Sequence, residues 1–240
     1  MNLLQLRQKF REISGRFDLV NDDGSDNGAD FFIYEGQKFL DRLNETQKSW
    51  AVCYRFVDVG FYRAHFPYCR AIKEVWATSS SNRWQLRKKS LQDLISEYMS
   101  ELPSSRTPGT PLYYSPGITR YIPEDETADN FESFVGWVEI PSGNAHEYNM
   151  VLLNVPTNEK LALEIKGLFY TKQLINDEDE NYWSVNHPLL LIMAAMRQLE
   201  VVNRNTQGVN DWSNAIAVEM KQLGMDLVEE LIAETSCMEG

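Results

Sequence analysis

The stretch Trp50-Ala-Val-Cys-Tyr-Arg-Phe-Val57 changes the period of the sequence from about four residues to two. Val52, Tyr54 and Phe56 occupy every second position, which is typical of a β-strand. The alternation returns twice, at Tyr62, Ala64 and Phe66 and at Ile72, Glu74 and Trp76. This stretch therefore separates a helical beginning from a β-rich middle and predicts an α+β fold.

The sequence before Trp50 has helical periodicity. Apolar positions from Leu3 to Ile13 fit one helical face, and Gly15 is expected to end this helix. A second apolar face runs from Phe31 to Leu43, directly after Asp30. The chain therefore begins with two amphipathic helices.

The last third of the chain returns to helix. Pro188 suits a first helical turn, and Leu189–Met196 is apolar on every side, so this helix is expected to be buried all round. After a predicted loop at Asn203–Gly208, Asp211 is a candidate cap for a long final helix. The apolar stripe of that helix runs from Trp212 to Leu231.

The middle of the chain mixes both periods. The Ser/Asn cluster Thr78–Asn82 is expected to cap a helix in which Leu91 and Met99 share a face. Met150–Val155 and Leu161–Tyr170 are predicted to pair as a hairpin. Further β segments are predicted around Tyr113, from Ile118 to Ile122 and from Phe134 to Ile140.

These elements predict one compact structural unit in which the helical ends of the chain pack together. Its expected segments are N-terminal helices at 1–48, a β segment at 49–78, a helix at 79–102, a β-rich insertion at 103–175 and C-terminal helices at 184–236.

The chain is acidic, with 23 Lys and Arg against 35 Asp and Glu and a net charge of −12. The excess acid is concentrated in three predicted loops, at 22–30, 124–132 and 177–180. Such a surface disfavours tight binding to nucleic acid and to anionic membranes. Solubility alone is the preferred explanation of the charge over any specific role.

Targeting and disulfide signals are weak. The longest uncharged apolar run, Leu189–Met196, is shorter than a bilayer span, and the N-terminus has no apolar signal-peptide core. Cys53, Cys69 and Cys237 are odd in number and scattered, so a disulfide framework is not expected. The pattern fits a protein made in a reducing cytosol.

The sequence offers no recognisable catalytic motif. His65 and Cys69 straddle Pro67 in strand-like sequence, where four residues span too far to share a metal ion. The loop starting at Asp23 resembles a calcium loop, but its twelfth position is Tyr34 instead of Glu. We therefore predict no enzyme, no cofactor and no metal site, although a paired-carboxylate site remains open because acids are plentiful.

Two segments carry a resemblance to a known family. Ala29–Arg42 resembles the second helix of tailed-bacteriophage head–tail connector (adaptor) proteins, and Pro67–Trp76 resembles a strand of the same family. The downstream order is also similar, with Leu161–Tyr170 followed by an acidic loop, by Trp183 and by the segment that begins at His187. The resemblance covers nearly the whole chain. It lies in the order of the segments and in their general residue pattern, and no single motif is diagnostic.

The resemblance implies a helical bundle formed by the N- and C-terminal helices with an inserted β-sandwich-like region. It also implies a structural virion protein that forms a ring, usually dodecameric, beneath the portal. The expected partners are copies of the chain itself, the portal protein, and tail or stopper proteins. The genome would pass through without sequence-specific binding, and no membrane partner is expected.

The candidate interface residues for the portal or neighbouring subunits are Leu227, Leu231, Ile232 and Met238. An intrachain core role for Leu227 and Leu231 is an equal alternative. Asp177, Glu178, Asp179 and Glu180 form the candidate acidic channel loop. Another neck or tail-completion protein is the alternative function, and a hydrolase that uses unrecognised carboxylates is a more distant one.

Overall fold

A computed structural model describes residues 1–43, 50–100, 105–118 and 148–235 of the chain, and side chains in these ranges except at 118, 148 and 225–235. The chain divides into two compact units. Met1–Ser49 and Tyr170–Gly240 form the first, here called the helical unit, and Trp50–Phe169 form the second, here called the sheet unit.

The described helices and strands follow one another in chain order. They are α1 (Leu3–Ser14), α2 (Ala29–Leu43), β1 (Trp50–Val57), β2 (Arg63–Pro67), β3 (Cys69–Thr78), β4 (Arg83–Lys88), α3 (Leu91–Tyr98), β5 (Tyr113–Ile118), β6 (Tyr148–Leu153), β7 (Leu161–Phe169), α4 (Tyr182–Asn186), α5 (Pro188–Val202) and α6 (Thr206–Thr235).

The core of the helical unit is built around α5. Its residues from Leu190 to Met196 are all buried as predicted, whereas Leu189, which was expected to be buried with them, is exposed. Pro188 stands at the start of the helix as expected. Gly36 of α2 lies so close to α5 that an added Cβ would be 2.7 Å from the backbone nitrogen of Ala195. The absence of a side chain at Gly36 therefore permits the close packing of α2 on α5.

The first helix ends where its sequence predicts, and its start is capped by a residue that was not predicted. Asn2 caps α1 through its side chain, which accepts a hydrogen bond from the backbone nitrogen of Gln5. Gly15 adopts a left-handed conformation with φ of 66° and donates its N–H to the carbonyl of Arg11. Gly15 therefore ends α1, and the prediction for this helix is confirmed.

The sheet unit contains a mixed sheet in which the described strands follow the order β1-β7-β3-β4-β5-β6-β2. Neighbouring strands run antiparallel except β4 and β5, which run parallel. The first and last strands of this order approach each other, because Arg55 Nε of β1 donates a 3.0 Å hydrogen bond to the carbonyl of His65 in β2. The sheet is therefore nearly closed and barrel-like.

The interior of this sheet holds a second core. Its fully buried side chains include Phe66, Val75, Tyr114, Leu153 and Ile165. They come from five different strands, so the curvature of the sheet turns one face of each strand inward.

The predicted fold class is therefore wrong beyond the α+β assignment. The β-rich part of the chain does not form a sandwich-like region inserted in a helical bundle, because the strands on both sides of α3 join one nearly closed sheet. The order of strands shows the reason: β7 lies between β1 and β3, which precede it by about a hundred residues. Long-range pairing of this kind leaves no local signal.

Three local predictions also differ from the structure. Leu161–Phe169 does not pair with Tyr148–Leu153, since β7 pairs with β1 and β3 and β6 pairs with β2 and β5. The predicted helix at 79–102 is shorter, because Arg83–Lys88 is a strand and Ser90 caps α3. The final helix begins at Thr206, five residues before the predicted cap Asp211. The β segments expected within 119–147 lie outside the described residues.

Candidate interaction surfaces

The first candidate surface is a row of large apolar side chains on the outer face of β1. It consists of Trp50, Val52, Tyr54 and Phe56, and we call it the β1 row. Tyr54 is 66% exposed and Phe56 is 72% exposed. Aromatic side chains that protrude together into solvent are unusual in a monomer and mark interaction surfaces.

The alternation of β1 explains why these side chains point outward. Val57, at the end of the strand, is buried in the interior of the sheet, and Cys53 packs against the same core. Val52, Tyr54 and Phe56 occupy the opposite face because successive side chains alternate across a strand. An apolar face that the fold itself does not cover is therefore left to a partner.

Charged groups flank the β1 row at its Phe56 end. The Lys160 ammonium lies 5.1 Å from the centre of the Phe56 ring and 3.0 Å from Asp58. Lys160 and Asp58 are both well exposed, so their ion pair contributes little to stability but leaves a cation beside an aromatic ring.

A belt of paired charges lies on the neighbouring strands. Glu164 of β7 accepts a 2.7 Å hydrogen bond from Arg83, which lowers the pKa of its carboxyl, and Lys166 lies 3.3 Å away. Arg83 also stacks 4.3 Å over the ring of Trp76. The pairing neutralises these groups and leaves the β1 row as the apolar part of this face.

The second candidate surface is a groove in the helical unit, with a volume of about 380 Å³. Its lining residues come from the junction of α4 and α5 and from α6: Asn186, His187, Pro188, Leu189, Leu190, Glu219, Gln222 and Leu223. Leu189 is 60% exposed, and Tyr182 extends the surface because its ring lies 5.5 Å from that of His187. The groove is thus of mixed polarity. Pro188, Leu189, Leu190 and Leu223 are apolar, and Asn186, His187, Gln222 and the carboxylate of Glu219 are polar.

The predicted acidic channel loop is described in full. The carbonyls of Asp177 and Asp179 accept the N–H groups of Leu4 and Leu3 at the start of α1, each at 3.1 Å. The Asp179 carboxylate accepts the N–H groups of Asn176 and Ile175, which lowers its pKa, while Glu178 and Glu180 are exposed. The loop is therefore fixed to the helical unit by hydrogen bonds, and it also presents an acidic surface.

Asp177 is also one of three groups in an ion-pair network around a buried arginine. Arg7 of α1 is almost fully buried, and its guanidinium donates to both oxygens of Asp30 at 2.6 and 2.7 Å and to Asp177 at 2.5 Å. The hydrogen bonds that Arg7 donates to Asp30 are the main cause that raises the pKa of Arg7. This network ties α1, α2 and the acidic loop together, and the sequence alone did not reveal it.

The loop that resembles a calcium site uses its acids for its own turns. Asp23 accepts hydrogen bonds from the N–H and hydroxyl of Ser25, which lowers the pKa of its carboxyl, and Asp26 accepts from the N–H groups of Gly28 and Asp30. Within the described ranges, no group of three or more His, Cys, Asp or Glu side chains is arranged to hold a metal ion.

The four candidate interface residues fall at the distal end of the chain. Leu227, Leu231 and Ile232 belong to the last turns of α6, and Met238 follows that helix. The side chains of all four lie outside the described residues.

The two candidate surfaces were not predicted as interaction sites. The period of two in Val52, Tyr54 and Phe56 identified a strand, but the sequence did not indicate which face the fold would cover. Leu189 was predicted to be buried with the rest of α5, yet it lies on the surface at the start of that helix. The signal that could have identified it is its place directly after Pro188, where a helix emerges from a turn.

No protein-family model and no curated protein matches this chain. Among the helices that the structure describes, none has the length and apolarity to cross a bilayer.

Proposed function

We propose that this chain is a structural protein of the phage neck, a head–tail connector subunit that docks on the portal as one copy in a ring. The observation that carries the proposal is the β1 row, because large exposed apolar side chains are expected of a protein that works in an assembly. The groove at Leu189 supports it, since a ring subunit needs apolar surface for two neighbours. The resemblance of Ala29–Arg42 and Pro67–Trp76 to connector proteins is the reason for proposing this particular kind of assembly.

The charge of the chain suits a channel better than a nucleic-acid binding site. The helical unit has 11 Lys and Arg against 21 Asp and Glu. An acidic lumen repels the phosphate backbone, so DNA slides past without being held. In this proposal Asp177–Glu180 lines the channel, and Leu227, Leu231, Ile232 and Met238 contact the portal.

The chain is expected to need the portal as a template. Copies that carry −12 each repel one another, so ring closure on a complementary surface is easier than closure in solution. Light scattering of the purified chain should show a monomer or weak association in both low and high salt. Electron microscopy should show rings when the portal of the same phage is added.

Three outcomes would count against parts of this proposal. A stable ring at low salt without portal contradicts the template requirement. The connector function is contradicted if the chain does not bind the portal and immunogold label is absent from the neck of intact particles. If the label lies elsewhere on the tail, the alternative of a tail-completion protein is favoured. Turnover that a single Asp→Asn change abolishes would favour a hydrolase.

A further inference from the structure

We propose that two copies of this chain bind head to tail, with the β1 row of one copy in the groove of the helical unit of the next. The inference rests on the proposed ring and names the two surfaces that form its subunit contact. The partner of each surface is thus a second copy of this chain.

The β1 row has the chemistry of an insert. Phe56 and Tyr54 are its most exposed members, and Lys160 lies beside the Phe56 ring in an exposed ion pair with Asp58. The row therefore presents two aromatic rings followed by this ion pair. Aromatic residues of this kind are the side chains that most often dominate binding at the centre of an interface.

The groove has the chemistry of a receptor for that insert. Leu189 and Leu223 supply apolar wall, and Glu219 supplies a carboxylate at the wall formed by α6. A phenyl ring from Phe56 can lie on Leu189 while the ammonium of Lys160 pairs with Glu219. Lys160 would then share its ammonium between Asp58 and Glu219, so the charge complementarity is local.

The distribution of charge between the units disfavours contact between two helical units. The helical unit has an excess of ten acidic residues, from 11 Lys and Arg against 21 Asp and Glu. The sheet unit has 12 against 14. Two helical units repel strongly, whereas a sheet unit against a helical unit is the least repelled of the contacts that use the groove.

A head-to-tail contact has a consequence for assembly. The two surfaces of one copy remain available to two different neighbours, so the contact repeats and produces a closed ring or a filament. A row of four such side chains exposes several hundred Å², at the level of the largest apolar patches of monomers and below the roughly 800 Å² per partner of a standard stable interface. We therefore expect weak association of the isolated chain.

Two variants that each lose one surface test the contact. Phe56→Glu blocks the β1 row and places the new carboxylate beside Lys160, on a strand face where charge is tolerated. Leu189→Asp blocks the groove at the first turn of α5, where a carboxylate favours the helix. Ile95→Glu is the matched control, because Ile95 is an exposed apolar residue on α3 outside both surfaces.

Sedimentation velocity at protein concentrations up to about 1 mM detects contacts with a Kd near that value. Wild type and Ile95→Glu are expected to form species that grow beyond a dimer as the concentration rises. Phe56→Glu alone and Leu189→Asp alone are expected to remain monomers. An equimolar mixture of the two variants is expected to stop at a one-to-one dimer, because it contains one intact row and one intact groove.

A charge exchange tests the orientation of the two surfaces. Lys160→Glu is expected to weaken association by about tenfold, and the added change Glu219→Lys is expected to restore it to within about threefold of wild type. Circular dichroism of each variant checks that the fold is kept. Because the double variant has the net charge of wild type, Lys160→Glu combined with Glu12→Lys is the matched control. Glu12 is an exposed acid on α1 outside both surfaces, so this control should stay weakened if the pair with Glu219 is specific.

Several results would overturn the head-to-tail contact: wild type that stays monomeric at every concentration, Leu189→Asp that dimerises alone through its rows, or a mixture that does not form the dimer. The failure of the proposed function is recognised separately. If the mixture forms the one-to-one dimer but the chain does not bind the portal, the head-to-tail contact stands and the connector function is wrong. If a chain that carries both Phe56→Glu and Leu189→Asp still forms rings on the portal, the connector function stands and the head-to-tail contact is wrong.

Discussion

The indole N–H of Trp183 donates a 2.7 Å hydrogen bond to Oδ1 of Asp41, and both side chains are buried in the helical unit. The same oxygen accepts the hydroxyl of Thr171 at 2.6 Å, and Oδ2 accepts the Thr171 N–H at 2.9 Å. One carboxylate therefore joins the end of α2 to the chain that returns from the sheet unit and to α4. A buried acid is tolerated here because donors surround it.

Removal of this carboxylate should destabilise the chain. Asp41→Ala is expected to lower the free energy of unfolding by about 3 kcal/mol, because it leaves the buried donors of Trp183 and Thr171 unpaired. Trp183→Phe is expected to cost about 1.5 kcal/mol, since Thr171 still binds the carboxylate. Urea denaturation measures both. Glu12→Ala, at an exposed position on α1, is the control and should stay within about 0.5 kcal/mol of wild type. If Asp41→Ala lowers the free energy of unfolding no more than Glu12→Ala does, the structural role of Asp41 is contradicted.

The buried guanidinium of Arg7 gives a second stability test. Arg7→Lys keeps the positive charge but loses the two-oxygen contact with Asp30, so we expect a loss of about 2 kcal/mol in the free energy of unfolding. The exposed pair of Lys9 with Glu12 on the same helix is the control, and Lys9→Arg should change stability by less than about 0.5 kcal/mol. If Arg7→Lys is as stable as Lys9→Arg, the contact of the Arg7 guanidinium with both oxygens of Asp30 is unimportant for stability.

These contacts also determine how the channel role of the acidic loop can be tested. Reversal of Asp177 or Asp179 would disturb α1 as well as the charge. Glu178 and Glu180 are exposed, and their contacts are a 3.0 Å hydrogen bond from the Asn2 side chain to Glu178 and a 3.9 Å ion pair of Glu180 with the N-terminal amine, which as surface contacts contribute little to stability. The double change Glu178→Lys and Glu180→Lys is therefore expected to leave urea denaturation nearly unchanged and to slow genome passage or retention. Particle yield, packaged DNA and infectivity measure the effect. Wild-type values in the double variant would refute the channel assignment.

The helices of this fold could be predicted because their signals are local. Gly15, Pro188 and the all-apolar run after it specify where helices end, begin and become buried, and the structure confirms them except at Leu189, which is exposed. Ser90 caps α3, whereas the Ser/Asn cluster that was expected to cap it forms the turn between β3 and β4. Where two capping signals occur close together, the sequence does not show which is used.

The sheet could be predicted only strand by strand. Leu161–Phe169 has the alternation of a strand, but its pairing with Trp50–Val57 and with β3 depends on contacts between distant parts of the chain. The spacing predicts a hairpin turn around Pro156–Glu159, but the chain that precedes it is bound elsewhere: the side-chain oxygen of Asn154 accepts the N–H groups of Leu112 and Tyr113. The β1 row could not be predicted for the same reason, since the neighbours of a strand in the fold decide which of its faces is exposed.

The half-buried His65 predicts a dependence of stability on pH. Burial lowers the pKa of His65 below its usual value near 6.5, and the positive charge of Arg63 lowers it further. Below about pH 6.5 the unfolded chain therefore binds a proton that the folded chain does not, and stability is lost as the pH falls through this window. Urea denaturation at pH 7.5 and 5.5 should show a smaller decrease for His65→Gln than for wild type. The same decrease in both would assign the effect to other groups.

The final helix gives the test that distinguishes a docked subunit from a free-standing protein. Thr206–Thr235 has 30 residues, and a helix of that number is about 45 Å long, more than most small domains need to cover one core. Deletion of Glu234–Gly240 is therefore expected to shift the midpoint of thermal unfolding by less than about 2 °C and to abolish incorporation into particles. Leu227→Asp with Leu231→Asp keeps the length of the chain and separates the loss of apolar contacts from the loss of the tail. A truncated chain that unfolds well below the full-length chain would show that the tail belongs to its own core and that the docking assignment is wrong.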